Sequence, residues 1–237
     1  MFSPVLLVAF LCGGLLPALL WLAYWLFEDK KSPEPKKYIF FAFLAGMGVV
    51  IPIVLPLEKL VEAQALLVGY PRNGVLVLFF WAAIEELFKF GAAYVAALRW
   101  RVFDEPIDAV IYMITAALGF AALENTLFLA ELLRQGQIQE FITTGTLRFV
   151  GATLLHVLSS GTVGLLLAYA FFKKPAIRLR AACIGVILAA SLHTMFNFFI
   201  LTRGGSATFL VFLTLWLGIV ALLLFIERLK RPSRIYN

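Results

Sequence analysis

The chain has 237 residues, 62% of them hydrophobic and only 14% charged, with a formal net charge of +6. Soluble domains carry about 25% charged residues, so this composition excludes an ordinary soluble domain and predicts an all-α, polytopic membrane protein. The basic residues stand beside apolar runs, which reads as membrane topology and excludes a nucleic-acid surface.

In chain order, the first apolar run covers about Val5 to Phe27. It lacks a basic segment before it and a small-residue cleavage site, so it reads as a retained helix and not a cleaved signal. A polar linker with Pro33 and Pro35 follows, then a second span over about Tyr38 to Leu55. Pro52 and Pro56 mark its far end, and the mixed segment Leu57–Asn73 predicts a short interfacial helix around Glu58–Leu67. The third span, about Val75 to Leu98, carries Glu85-Glu86-Leu87-Phe88-Lys89 in its middle.

The fourth span, about Ile107 to Leu132, contains Phe120-Ala121-Ala122-Leu123-Glu124-Asn125, and a polar segment to Leu147 separates it from the fifth, about Arg148 to Phe172, with His156. The sixth, about Ala181 to Leu201, contains His193-Thr194-Met195-Phe196-Asn197, and the seventh runs from about Ala207 to Ile226. The whole is one membrane domain, 1–237, with no internal repeat. Asp104, Glu105 and Asp108 read as solvated acids at a helix start. Cys12 and Cys183 lie in apolar runs without CxxC spacing, and read as small buried residues.

Seven spans put the termini on opposite sides. Of the 20 Lys and Arg residues, fourteen fall on the side of the first, third and fifth loops and the C-terminus. Five (Lys59, Arg72, Arg134, Arg148 and Arg203) fall on the other, and Lys89 is within the membrane. This bias predicts a plasma-membrane protein with its N-terminus outside and its C-terminus in the cytoplasm.

The buried polar residues then become informative together. An ionised carboxylate at mid-span costs roughly 2.5–3.5 kcal/mol, so it requires a partner or a task. Glu85 and Lys89 are four residues apart and share a helix face, which leaves Glu86 without a partner on its own helix. At 1.5 Å per residue, Glu85, Glu86, Glu124, His156 and His193 all fall roughly 12–16 Å below the same, outer surface. His156 and His193 are the chain's two histidines. Two imidazoles and several carboxylates in one layer match the donor set of Zn²⁺, whose catalytic sites keep three protein ligands and one open position.

The candidate ligands are Glu124, His156 and His193. Glu86 or Glu85 is the candidate base for the metal's water. Asn197, one turn from His193, is placed to assist a developing oxyanion, and Lys89, Asn125 and Ser160 are supporting candidates. Each has a plainer reading: an imidazole bridging helices, a protonated acid in the packing, a structural ion pair. What those readings leave unexplained is the common depth.

Glu85-Glu86-Leu87-Phe88-Lys89 resembles the EExxK motif of the PrsW family of intramembrane proteases. Phe120 to Glu124 resembles that family's FxxxE motif. His193 to Asn197 resembles the HxxxN/D motif it shares with CAAX-processing and bacteriocin-immunity membrane proteases. The resemblance covers about Trp81 to Asn197 and implies a membrane-embedded endopeptidase, usually classed as a metallopeptidase, whose best-known role is cleaving a membrane-anchored anti-sigma factor outside the cytoplasm. Lys89 and Glu124 stand where the CAAX enzymes have Arg and His, and the wider group includes glutamate-dependent enzymes that need no metal. The expected partners are a membrane peptide substrate and the bilayer. Rival readings are a proton- or cation-coupled transporter, which predicts two related halves with interrupted spans, and a non-catalytic scaffold of the same fold, which predicts tolerance of Glu86→Gln.

Overall fold

The computed structural model describes residues 4–28, 33–203 and 205–230. Residues 29–32 of the first basic linker, Gly204 and the tail 231–237, which enter the charge count and the loop reading above, lie outside the described residues. Among the described residues the chain forms seven helices: α1 (4–28), α2 (Lys36–Leu67), α3 (75–98), α4 (Asp108–Arg134), α5 (Ile138–Tyr169), α6 (Pro175–Arg203) and α7 (Gly205–Lys230). Six are long and apolar enough to cross a membrane. The remaining one, α3, is 19 residues of α-helix continued by a five-residue wide turn, and the charges at its middle set it apart.

α4 is the axis of the bundle. In its membrane window 78% of residues are buried, and 67% in that of α5, against 28–33% in the outer helices α1, α2, α6 and α7. α4 packs on α5, α2 and α1, α5 also packs on α6 and α7, and α3 lies mainly against α6 and α4. The outward faces carry Leu, Phe and Ile side chains, among them Phe40, Leu188, Phe209 and Leu224, as lipid contact requires. Cys12 and Cys183 are on these faces and exposed. This corrects the expectation of buried thiols; acyl chains receive a small apolar residue as readily as a protein core does.

Small residues let α2 and α4 approach closely. A Cβ on Gly46 would lie 2.0 Å from the Ala116 carbonyl oxygen, and one on Gly119 would lie 2.0 Å from that of Phe43. A side chain at either position must push two backbones apart. Gly119→Val is therefore expected to lower the thermal unfolding midpoint in detergent, by an amount corresponding to about 1–3 kcal/mol. Gly91, with open space around its Cβ position, serves as the control: Gly91→Ala should not lower the midpoint.

Several boundaries differ from the sequence expectation. α2 continues through Pro52 and Pro56 because its turn widens there: the Val54 N–H reaches Val49 O at 3.0 Å, absorbing the donor that Pro52 lacks. The separate interfacial helix expected at Glu58–Leu67 is thus the last part of α2. The segment expected as a polar link before the fifth span contains helix Ile138–Leu147, which runs through a wide turn at Arg148–Ala152 into the rest of α5. α6 starts at Pro175, earlier than expected.

Asp108 is not solvated. It is buried, and its Oδ2 accepts the backbone N–H groups of Asp104 (3.0 Å) and Glu105 (2.7 Å), closing the loop that leads into α4. Nearby, Tyr112 donates a hydrogen bond to Glu34. At this same end, Phe103 packs edge-on against Phe171 at 4.9 Å, bringing the α3–α4 and α5–α6 connections together.

Candidate active site

Four helices bring their polar residues together. On α3, Glu85 and Glu86 precede Lys89 by four and three residues, so the Lys89 stem turns back over both carboxylates. Its Nζ stands 2.9 Å from Glu85 Oε2 and 2.9 Å from Glu86 Oε1. Glu86 therefore does have a partner on its own helix, contrary to the expectation from spacing alone; one ammonium spans both acids.

The other helices close the cluster. From α5, the Ser160 hydroxyl donates to Glu86 Oε2 at 2.8 Å, and His156 presents Nδ1 at 2.7 Å from Lys89 Nζ. From α6, His193 Nδ1 lies 3.1 Å from Glu86 Oε1. The two imidazoles meet edge-to-face with centroids 5.1 Å apart. Glu86 and Lys89 have no solvent exposure at all, and Glu85, His156 and His193 are nearly as buried.

Glu124, from α4, approaches His156 from the opposite edge of the ring. Its Oε2 is 3.0 Å from Nε2 and 2.7 Å from Arg148 Nη2. Arg148 in turn donates through Nε to Asn125 Oδ1 at 2.5 Å, and Asn125 donates to Thr153 Oγ1 at 3.1 Å. The guanidinium also covers the Phe128 ring at 4.6 Å. The topology count places Arg148 among the surface charges; in the folded chain it is a partly buried member of this network.

One oxygen or nitrogen from each of Glu85, Glu86, His156 and His193 falls within a 4.8 Å sphere of mutual distances. Three of those separations are 3.1 Å (His193 to Glu86), 3.8 Å (His193 to Glu85) and 3.8 Å (His156 to Glu85). Donors about 2.0–2.2 Å from a tetrahedral zinc ion are about 3.3–3.6 Å from one another. Nitrogen and carboxylate donors at this spacing fit a small divalent cation. Glu124 is outside the group, held to the far nitrogen of His156.

A cavity of about 750 Å³ adjoins the cluster. Glu85, Glu124, Arg148, His156, His193 and Asn197 all line it, and it reaches Arg72 and Asn73 in the connection before α3. Glu86 and Lys89 are behind this wall. Glu58 of α2 is a further carboxyl on the cavity, in contact with Glu85, and its backbone oxygen accepts from Trp81 Nε1 at 3.0 Å. Sequence reading placed Glu58 at the membrane surface. An acid at the end of a long apolar run, shortly before the motif helix, is the signal that marks it.

A lipid-embedded bundle with carboxylates and imidazoles around an internal cavity has the form of an intramembrane hydrolase. The chain belongs to the PrsW family of intramembrane metalloproteases, whose family model matches residues 34–225. It is 26% identical over 209 residues to a protease PrsW of Geobacillus kaustophilus, covering 86% of each chain. To the protease PrsW of Bacillus subtilis it is 26% identical over 219 residues, covering 89% of this chain and 93% of that one. A third relative, the protease PrsW of Clostridioides difficile, is 25% identical over 189 residues, 79% of this chain and 77% of the other. No solved structure gives a significant match. The protein is thus a multi-pass intramembrane peptidase, in a family described as metalloproteases, and its buried Glu/His group has the kind of donor atoms that metal sites use.

Proposed function

We propose that the chain hydrolyses a peptide bond within or beside a transmembrane segment of a single-span membrane protein, with Glu85 as the base. The observation that carries this is the division of labour within the pair. Glu86 is enclosed by Lys89, Ser160 and His193, whereas Glu85 lies on the cavity wall. Only a carboxylate on that wall can reach a water beside a substrate carbonyl.

In this reading Glu85 takes a proton from water as its oxygen bonds to the carbonyl carbon. Asn197, on the same wall, donates an N–H to the developing oxyanion. As the C–N bond breaks, the proton held by Glu85 passes to the departing amine, and the carboxylate is restored. The residues that would hold Zn²⁺ are Glu86, His156 and His193, leaving Glu85 free. A bound zinc would lower the pKa of its water and polarise the carbonyl. Glu124 then serves His156 through Nε2, fixing the ring so that Nδ1 faces the cluster.

A peptide has to unwind locally to expose its carbonyl, so it needs both water and a way in from lipid. The cavity reaches the loop end of the bundle. An apolar groove of about 500 Å³ between α6 and α7 adjoins it through the shared residues Leu155 and Phe196. With the N-terminus outside, as the charge bias indicates, the cut falls toward the outer face. A membrane-anchored anti-sigma factor is a substrate of the right form.

The test is reconstitution in vesicles with a candidate single-span substrate, in the presence and absence of chelator. Loss of cleavage on chelation with recovery on Zn²⁺ supports the metal; cleavage indifferent to chelator removes it and leaves the glutamate step intact. Arg148→Met frees Glu124 from its charge partner and is expected to slow cleavage about 10–100-fold, as loss of an orienting residue does. Arg148→Lys should recover part of that rate, and steady-state rates in the same vesicles measure both.

The proton-relay reading has one point in its favour, the chain of Glu58, Glu85, Lys89 and His156 across the bundle. It is distinguished by proton flux across sealed vesicles without any peptide present.

A further inference from the structure

Lys89 is where a metal would be. A divalent ion held by the cluster sits about 2.0–2.2 Å from its donor atoms. Lys89 Nζ is already 2.9 Å from Glu85 Oε2, 2.9 Å from Glu86 Oε1 and 2.7 Å from His156 Nδ1, three of the four donors in the group. An ammonium has three N–H donors, and here it meets three acceptors. No space remains for a second cation between the same atoms, and two positive charges there would repel.

We infer that Lys89 and a divalent metal ion are alternative occupants of one cage, so that Lys89 is a built-in competitor which sets the metal affinity of the site. This rests on the reading of Glu86, His156 and His193 as metal ligands. In that same position its Nζ is 4.2 Å from the centroid of the Phe120 ring, so an ammonium displaced by metal keeps a cation–π partner on the side of α4. Without metal, the ammonium bridges the two carboxylates, offsetting one of their two charges, and the bundle stays whole. In a structural zinc domain, by contrast, metal removal means unfolding. Metal entry must break three charge-assisted hydrogen bonds, which weakens binding and makes it reversible.

The test uses purified full-length protein in detergent, with Zn²⁺ alone as the ligand and no substrate. Binding is read by titration calorimetry and bound metal by elemental analysis; the thermal midpoint is followed with and without EDTA. Wild type is expected to keep its midpoint in EDTA. Lys89→Met, which keeps the stem and removes the ammonium, should bind Zn²⁺ at least about tenfold more tightly, equivalent to about 1.4 kcal/mol. Its midpoint should fall in EDTA and recover with Zn²⁺.

Should Lys89→Met fail to fold without metal, the pair Glu85→Gln and Glu85→Gln/Lys89→Met carries the test, since the double variant removes both charges of one ion pair. The double variant should exceed the single one in affinity by the same factor. Equal affinities in both comparisons overturn the inference. So does wild type that carries one zinc per chain and loses its fold in EDTA. Because nothing here reads proteolysis, failure of the inference leaves the Glu85 step untouched, and an inactive Glu85→Gln says nothing about Lys89.

Discussion

Glu86→Ala is expected to cost the fold about 3–5 kcal/mol, the range for removing one member of a buried ionic network. Glu86 has no exposed surface, and its two oxygens receive Lys89, Ser160 and His193 from three helices. Truncation leaves a cavity, a lysine with one carboxylate fewer, and a hydroxyl without its acceptor. The unfolding midpoint in detergent and the fraction remaining monodisperse after heating measure the loss. Glu86→Gln should recover part of it, because the amide oxygen still accepts from Lys89 or Ser160. A Glu86→Ala protein with the wild-type midpoint would mean that the cluster is not what joins α3 to α5 and α6.

Glu85→Gln should behave in the opposite way. The amide keeps the shape of the side chain and one acceptor for Lys89, so the fold is expected to survive with a small change in midpoint. It cannot take up a proton from water. Loss of a general base slows hydrolysis by about 10²–10⁴, and the fall should appear in the rate at saturating substrate. Equal losses of activity in Glu85→Gln and Glu86→Gln, each with an intact fold and in a wild type whose cleavage is indifferent to chelator, would place the base on either residue and remove the distinction that cavity lining draws between them. A fold-intact Glu85→Gln with full activity would favour the scaffold or transporter readings.

Much of this arrangement is legible in the sequence, because a membrane forbids idle charge. Glu85, Glu86, Lys89, Glu124, His156 and His193 interrupt apolar runs, and counting residues from the run ends is enough to place the four helices' acids and imidazoles in one layer. What counting does not give is direction around a helix. That Lys89 reaches both acids depends on its stem lying back over the preceding turn. That His156 gives Nδ1 to the cluster and Nε2 to Glu124 depends on how α4 and α5 cross, which single-sequence periodicity does not contain.

The boundary errors have physical causes too, and they hid two residues. Arg148 looks like the first residue of a span because hydropathy rises there. The helix starts ten positions earlier, at Ile138, so Arg148 is well inside it and turns to Glu124. Glu58 looks like a surface acid because Pro52 and Pro56 suggest an end to α2. A widened turn carries the helix through, and Glu58 arrives at the cavity beside Glu85. Asp108 misleads for a related reason: its carboxylate is satisfied by two backbone N–H groups, which sequence alone does not show.

Activation of water by Glu85 for peptide cleavage inside the membrane is tested most directly by mass spectrometry of substrate fragments. A single-span substrate is incubated in vesicles with wild type or with Glu85→Gln. The expected result is a new carboxyl terminus in the outer half of the substrate's membrane segment or just beyond it, formed by wild type and absent with Glu85→Gln. The same fragment from both proteins, or wild-type cleavage confined to the cytoplasmic side, would contradict it.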